Sequence, residues 1–351
     1  MALFSINHVS LRGMAAAVPA QKESNHDYDW ITEKERKLLI KTTGIESRRK
    51  APEGVCTSDY CFEASKKLLQ DLNWSAADVK LIVFVSQSPD YYLPATAIIL
   101  QHKLGLPQTA LAFDICLGCS GFVYGLSVVA NMMSNTGIKK ALLLTGDVST
   151  VSVSYQDKST YPLFGDGGTV TALEWNENAA PMHFNLQSDG SGYESIIIHD
   201  GGCRNPINAA SDEMVETDKG ITRRRRDLTL NGMDVFNFSV TKVPPNVNEL
   251  LAFSAVEKSA LNFFVMHQAN FLLNETVRKI LSIDAAKTPY SLKNFGNTSS
   301  ASIPLTIVTE ISGALKTSKQ KLLLCGFGVG LSWGSVIVET ENLVVSDLLE
   351  L

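Results

Sequence analysis

The chain has 351 residues, 45% hydrophobic and 19% charged, which is enough for one large or two medium domains with cores of their own. A net charge of -5 and a pI near 5.7, without a long basic stripe, argue against a nucleic-acid partner. No apolar run reaches the roughly 20 residues that a membrane-crossing helix needs. Six cysteines without a compact framework spacing fit a reducing compartment, so the cytoplasm is the expected location.

Residues 1–20 alternate apolar and other side chains and lack a basic head followed by a continuous apolar core, so they read as a first strand rather than a signal peptide. Residues 57–73 combine polar caps with apolar residues at helical spacing, which predicts an amphipathic helix. A buried strand at 79–86, a helix at 95–104 and a short strand at 111–115 follow. Next come a helix at 120–133 and a strand at 140–145. This alternation implies parallel crossovers and a layered α/β fold. The helix at 120–133 has almost no polar face, so it must be packed on every side.

Residues 176–229 are polar and irregular, and predict connecting loops with an edge strand at 194–199. Beyond them the rhythm returns: a helix over 234–251 broken at Pro244 and Pro245, a buried strand at 261–266, and a helix over 267–281. Strands at 321–325 and 332–338 flank a glycine loop. The chain therefore divides into two similar halves, 1–175 and 230–351, joined by 176–229, with an active site expected between them.

Cys119 stands where an apolar strand runs into the buried helix. Unpaired N–H groups and the positive end of the helix dipole favour thiolate there, as a nucleophile requires. Cys116 completes a C-x-x-C, but no thioredoxin-like setting and no further ligands at zinc spacing accompany it, so Cys116 reads as a small core residue. A lone buried cysteine is usually core. Here it has company at other element ends: His267 in MHQAN, Asn297 in GNTSSASIP, and a loop GFGVGLSWG whose backbone N–H groups suit an oxyanion hole.

These stretches, with FGDGG at 164–168 and TTGI at 42–45, resemble the β-ketoacyl-acyl-carrier-protein synthase III family of thiolase-superfamily condensing enzymes over about residues 5–340. The resemblance implies a homodimer of five-layered αβαβα subunits and a Cys119, His267, Asn297 triad. It implies that Cys119 takes an acyl group from acyl-CoA or another acyl thioester. His267 and Asn297 then stabilise the enolate formed as malonyl acyl carrier protein loses carbon dioxide, and the backbone N–H groups of Cys119 and Val329 hold the oxyanion. No metal or further cofactor is called for.

Other positions carry smaller expectations. Asp166 in FGDGG reads as a turn-tying carboxylate. Phe327 and Trp333 read as packing, with Phe327 placed to shape the space around the thiol, and Asn270 is placed to orient neighbouring groups. Counting back from Gly44 puts Leu38 and Thr42 where the family has an adenine-stacking tryptophan and arginine, so that clamp is absent; Lys158 keeps a cation where the second arginine stands. Leu272 replaces an arginine that contacts carrier protein in the family. Leu93 falls where a residue reaches across the dimer to close the acyl pocket, and hints at an acyl group other than acetyl. Arg223 to Arg226 follow an acidic segment and read as a self-neutralised loop, or else as a docking patch for carrier protein or coenzyme A phosphates.

Three other classes compete with condensation. An acyltransferase would pass the acyl group to an alcohol or amine without decarboxylation. A thiolase would need a second catalytic cysteine, for which Cys325 lies one residue early, and a non-catalytic partner subunit would not need the three triad residues.

Overall fold

The computed structural model of the chain describes residues 2–351. Two mixed sheets stack with helices between them and on both outer faces, giving five layers in the order αβαβα. One sheet runs Val344–Val345, Val9–Val18, Gly167–Trp175, Lys140–Asp147, Leu81–Val85, Leu111–Ile115, with Leu349–Glu350 also beside Val9–Val18. The other runs Ala2–Ile6, Met182–Ser188, Ser332–Thr340, Gln320–Gly328, Phe263–Met266.

The helix Gly121–Asn135 lies in the middle layer, as its apolar circumference predicts. Phe122, Val123, Leu126, Val129, Ala130 and Met133 are all buried, against both sheets. Burying each large side chain among them contributes about 1.5–3 kcal/mol, so this helix anchors the core. A Cβ added at Gly121 would lie 2.7 Å from a Val85 methyl, so the helix start sits directly on the sheet. Helix Ser302–Glu310 completes the middle layer. Thr57–Asp71 and Thr96–Lys103 cover the outer face of the first sheet, and Gly232–Ser254 and Phe271–Ile280 that of the second.

Three sequence expectations need correction. Met182–Ser188 is an interior strand, between Ala2–Ile6 and Ser332–Thr340, although its polar surroundings read as connecting loop. Over 194–199 only Ile196–Ile197 is extended, paired with Thr229–Leu230. The helix Gly232–Ser254 runs unbroken through Pro244 and Pro245. Proline removes a backbone donor and crowds the preceding turn, at a cost of about 3 kcal/mol. What offsets it is the anchorage one residue later: the Asn246 amide donates to the Asn185 carbonyl at 3.2 Å, the Asn185 amide donates to the Asn246 carbonyl at 2.9 Å, and the Ser335 hydroxyl donates to Asn246 Oδ1 at 2.6 Å.

The sheets also exchange chain ends. The first strand of the chain belongs to the sheet built mainly by the second half, while Val344–Val345 and Leu349–Glu350 return to the sheet of the first half. No helix among the described residues is long and apolar enough to cross a membrane.

Candidate active site

Parallel strands place the chemistry. Leu111–Ile115 delivers the chain to Cys119, just before the central helix, and Phe263–Met266 delivers it to His267. Helix Phe271–Ile280 starts four residues after His267, with Asn270 as its N-cap accepting from the Leu273 N–H at 2.9 Å. His267 thus lies in the connection rather than opening the helix, which leaves its side chain free of helical geometry. Asn297 is fixed by backbone bonds at the start of the FGDGG stretch and the residue before it: its N–H donates to the Leu163 carbonyl at 2.8 Å and its carbonyl accepts from the Gly165 N–H at 3.0 Å.

All three line one cavity of about 840 Å³, together with Phe327, Gly328 and Val329. Apolar residues form most of its remaining wall, among them Ile196, Leu228, Leu230, Phe236 and Leu273. Cys119 is 8% exposed and His267 1% exposed, so both reacting groups sit at the buried end of this space.

Burial sets their protonation. The Cys119 thiol is pushed up to about 11, chiefly by burial and further by the Asp147 charge, while the Val329 N–H pulls it down. The helix start therefore does not make a resting thiolate, contrary to the expectation from the dipole; near neutral pH the resting form is the thiol. Burial also lowers His267 to about 4, so its imidazole is neutral. Its Nδ1 pairs with the Ser302 hydroxyl at 2.7 Å, and Phe327 packs edge-on against the ring at 5.7 Å between centroids. The Asn297 side-chain oxygen accepts from the Ser299 N–H at 2.9 Å, which leaves its amide hydrogens for the cavity.

Gly328 explains why the last loop is glycine-rich. Its φ is +154°, and a Cβ there would fall 2.6 Å from Cys119 Cβ and 2.7 Å from the sulfur. Only a hydrogen fits over the nucleophile. Most of that stretch is strand rather than loop, since Gln320–Gly328 and Ser332–Thr340 leave three residues between them.

The remaining sequence candidates divide. Asp166 ties a turn: its carboxylate accepts from the Ala51 N–H at 2.8 Å, the Thr150 N–H at 3.0 Å and the Thr150 hydroxyl at 2.5 Å. Trp333 is buried packing, its indole donating to Gln187 Oε1. Cys325 is buried within the strand, its thiol pushed far up by burial, and it does not line the cavity, so it cannot serve as a second catalytic cysteine. Cys116 is not a core residue: it is exposed and lines the cavity near Cys119. Arg223, Arg224, Arg225 and Arg226 pair with Asp157, Asp227, Asp200 and Asp212, of which only Asp212 belongs to the acidic segment that precedes them.

Lys158 lies outside the cavity wall, 3.5 Å from Glu35. Leu93 is 86% exposed and does not line the cavity within one subunit. Leu38 is exposed, while Thr42 and Leu272 stand in the cavity wall. Trp30, just before helix Glu33–Thr43, donates to the Gly220 carbonyl at 3.3 Å, and Gly220 lies against the Lys158 side chain. Sequence reading also passed over Gln87, Asp147, Ser299 and Ser302, which surround the thiol and the imidazole.

A thiol and a neutral histidine at the floor of an apolar cavity, between the two sheets of an αβαβα fold, define a thiolase-fold condensing enzyme. The comparisons with known proteins narrow the class. The family model for 3-oxoacyl-[acyl-carrier-protein] synthase III matches residues 113–190, and that for its C-terminal part matches residues 251–340. β-Ketoacyl-[acyl-carrier-protein] synthase III of Rhodopirellula baltica is 32% identical over 359 residues, covering 95% of this chain and 99% of that one. The Bacillus cereus synthase III 1 is 32% identical over 331 residues, covering 94% and 98%. The crystal structure of 3-oxoacyl-(acyl-carrier protein) synthase from Burkholderia xenovorans LB400 superposes with a TM-score of 0.94 at 34% identity, covering 99% of each chain. The chain belongs to the β-ketoacyl-[acyl-carrier-protein] synthase III family, and is an acyl-transferring condensing enzyme.

Proposed function

We propose that this protein joins an acyl group, taken from acyl-CoA or another acyl thioester, to a malonyl unit carried on acyl carrier protein. The observation that carries this reading is the convergence of Cys119, His267 and Asn297 at the floor of one cavity with the Val329 N–H facing the sulfur. A cavity of about 840 Å³ with a largely apolar wall suits a thioester arm and an acyl chain together.

The steps follow from the donors available. The Cys119 sulfur attacks the thioester carbonyl, the oxyanion gathers on the backbone N–H groups of Cys119 and Val329, and the departing thiol takes away the cysteine proton. We assign the Ser302 hydroxyl as donor to Nδ1, which places the proton of the neutral His267 ring on Nε2. That N–H and the Asn297 amide then donate to the malonyl thioester oxygen as the carboxylate leaves as carbon dioxide. The enolate carbon attacks the acyl-cysteine carbonyl, and the C–S bond breaks to release Cys119 as thiolate, which takes a proton from solvent to return to the thiol. These steps need only the thioester substrates and a proton from solvent, with no metal or further cofactor.

A neutral imidazole is required at this point, because a donor and not an acid is needed, and a ring lowered to about 4 supplies it at every physiological pH. A homodimer is supported by the open edge strand Leu111–Ile115 and by the exposed Tyr91, Tyr92 and Leu93, the last of which a second subunit would receive. No observation favours transfer to an alcohol or amine.

Release of labelled carbon dioxide from malonyl carrier protein tests the reading. It is expected to depend on both His267 and Asn297, falling at least 100-fold, by the usual worth of paired oxyanion donors, in His267→Ala and Asn297→Ala. Release at the wild-type rate by either variant would refute these roles.

A further inference from the structure

Asp147 ends the strand Lys140–Asp147 and is 3% exposed, yet no cation pairs with it among the described residues. Hydroxyls and N–H groups from two other segments surround it instead. Its Oδ1 accepts from the Gln87 N–H at 2.7 Å, the Ser86 hydroxyl at 3.0 Å and the Ser88 hydroxyl at 3.3 Å. Its Oδ2 accepts from the Ser300 hydroxyl at 3.3 Å, and the Ser299 side chain also faces the carboxylate. A buried carboxylate held only by neutral donors is a costly feature to keep in a core.

Its place suggests what the cost serves. Ser86 to Ser88 follow the strand Leu81–Val85, and the Gln87 side chain reaches Gly118, immediately before the nucleophile. Ser299 and Ser300 follow Asn297, and the Ser299 hydroxyl faces the Cys119 sulfur as well. Ser299 itself holds φ at +51°, unusual for a residue with a side chain, so its orientation is imposed from outside. Asp147 is the acceptor that both loops share.

We propose that Asp147 is a positioning residue for the condensation, clamping the Ser299 hydroxyl and the Asn297 loop against Cys119. This assignment rests on the reading of Cys119, His267 and Asn297 given above. The groups that face the thiol then act in opposite senses: the Asp147 charge disfavours thiolate, the Ser299 hydroxyl and Val329 N–H favour it, and the neutral His267 ring adds no charge. The Cys116 thiol shares the cavity and feels the same carboxylate.

Asp147→Asn and Ser299→Ala test the clamp, with alkylation of each cysteine by iodoacetamide followed site by site in peptide mass maps. Removing the charge is expected to speed Cys119 alkylation at pH 8 by roughly threefold or more, and removing the hydroxyl to slow it by a similar factor. Both variants are expected to lose roughly tenfold or more in kcat for condensation, with the KM for the acyl donor within about twofold, as when an interaction made in the transition state is lost. Cys119 alkylation that changes in the same direction in both variants, or in neither, or a wild-type kcat in both, would overturn the assignment. If Asp147→Asn fails to fold, Ser299→Ala decides alone by its slower alkylation and lower kcat. A wild-type enzyme that releases no carbon dioxide would refute the function and leave the alkylation result to judge the clamp.

Discussion

Replacing Gly328 by Ala puts one methyl group where the structure has room only for a hydrogen. The added carbon would stand 2.6 Å from Cys119 Cβ and 2.7 Å from Sγ, where unstrained contacts need about 3.5–4 Å, so one side must give by about 1 Å. Overpacking of this kind costs about 1–3 kcal/mol. The φ of +154° adds about 1–3 kcal/mol for a residue with a Cβ, for a total of roughly 2–6 kcal/mol. Relief is available only by moving the sulfur or the Val329 N–H that faces it, and a displacement of about 1 Å at a reacting atom costs about 100-fold in rate. Urea melts give the stability change, and the burst of acyl-enzyme seen by intact mass gives the rate. A variant with an unchanged melt that acylates within threefold of wild type would refute this reading of the loop.

The protonation states carry two more predictions. His267 is depressed on folding from 6.5 to about 4, so its contribution to stability is complete above pH 6.5 and is lost as pH falls through about 4. That contribution is roughly 3 kcal/mol, and His267→Asn should remove about one proton from the pH dependence of unfolding in that window; an unaltered slope would contradict a buried neutral imidazole. Cys119, raised to about 11, should alkylate about tenfold faster per pH unit from 7 to 9 without levelling, whereas a plateau near neutral pH would reveal a resting thiolate. Asp166→Ala leaves the Ala51 and Thr150 donors buried without their acceptor and should lower stability by about 2–4 kcal/mol in a thermal or urea melt, with no loss expected only if that turn is held by other contacts.

The triad was legible in the sequence because each member lies in a short stretch with its own signature, Cys119 and His267 after strands and Asn297 in a glycine-containing loop. The five layers were legible because helix 120–133 has no side that water could cover. What the sequence hid depends on tertiary contacts that have no local pattern. Met182–Ser188 reads as loop only because its flanks are polar; its His183, Asn185 and Gln187 alternate with apolar residues as a strand's do, and inside the sheet Asn185 is buried because Asn246 answers its amide. Pro244 and Pro245 look like a break until the side chains that clamp the next turn are known. Cys116 reads as core on residue type alone, but the neighbouring strand end leaves it open to the cavity. The helix dipole suggested a thiolate, and burial overrules it by a margin that no spacing could reveal. Asp147 follows an ordinary buried strand, and nothing in KALLLTGD says that its carboxylate will meet a loop 153 residues further along.

The most direct measurement is the mass of the protein after incubation with acyl-CoA donors, followed by addition of malonyl carrier protein. The expected result is one acyl group per chain, mapped by peptide digestion to Cys119 and absent from Cys119→Ala, which is then discharged as carbon dioxide appears. An acyl group that persists in Cys119→Ala, or a loaded Cys119 that malonyl carrier protein never discharges, would contradict the condensing mechanism.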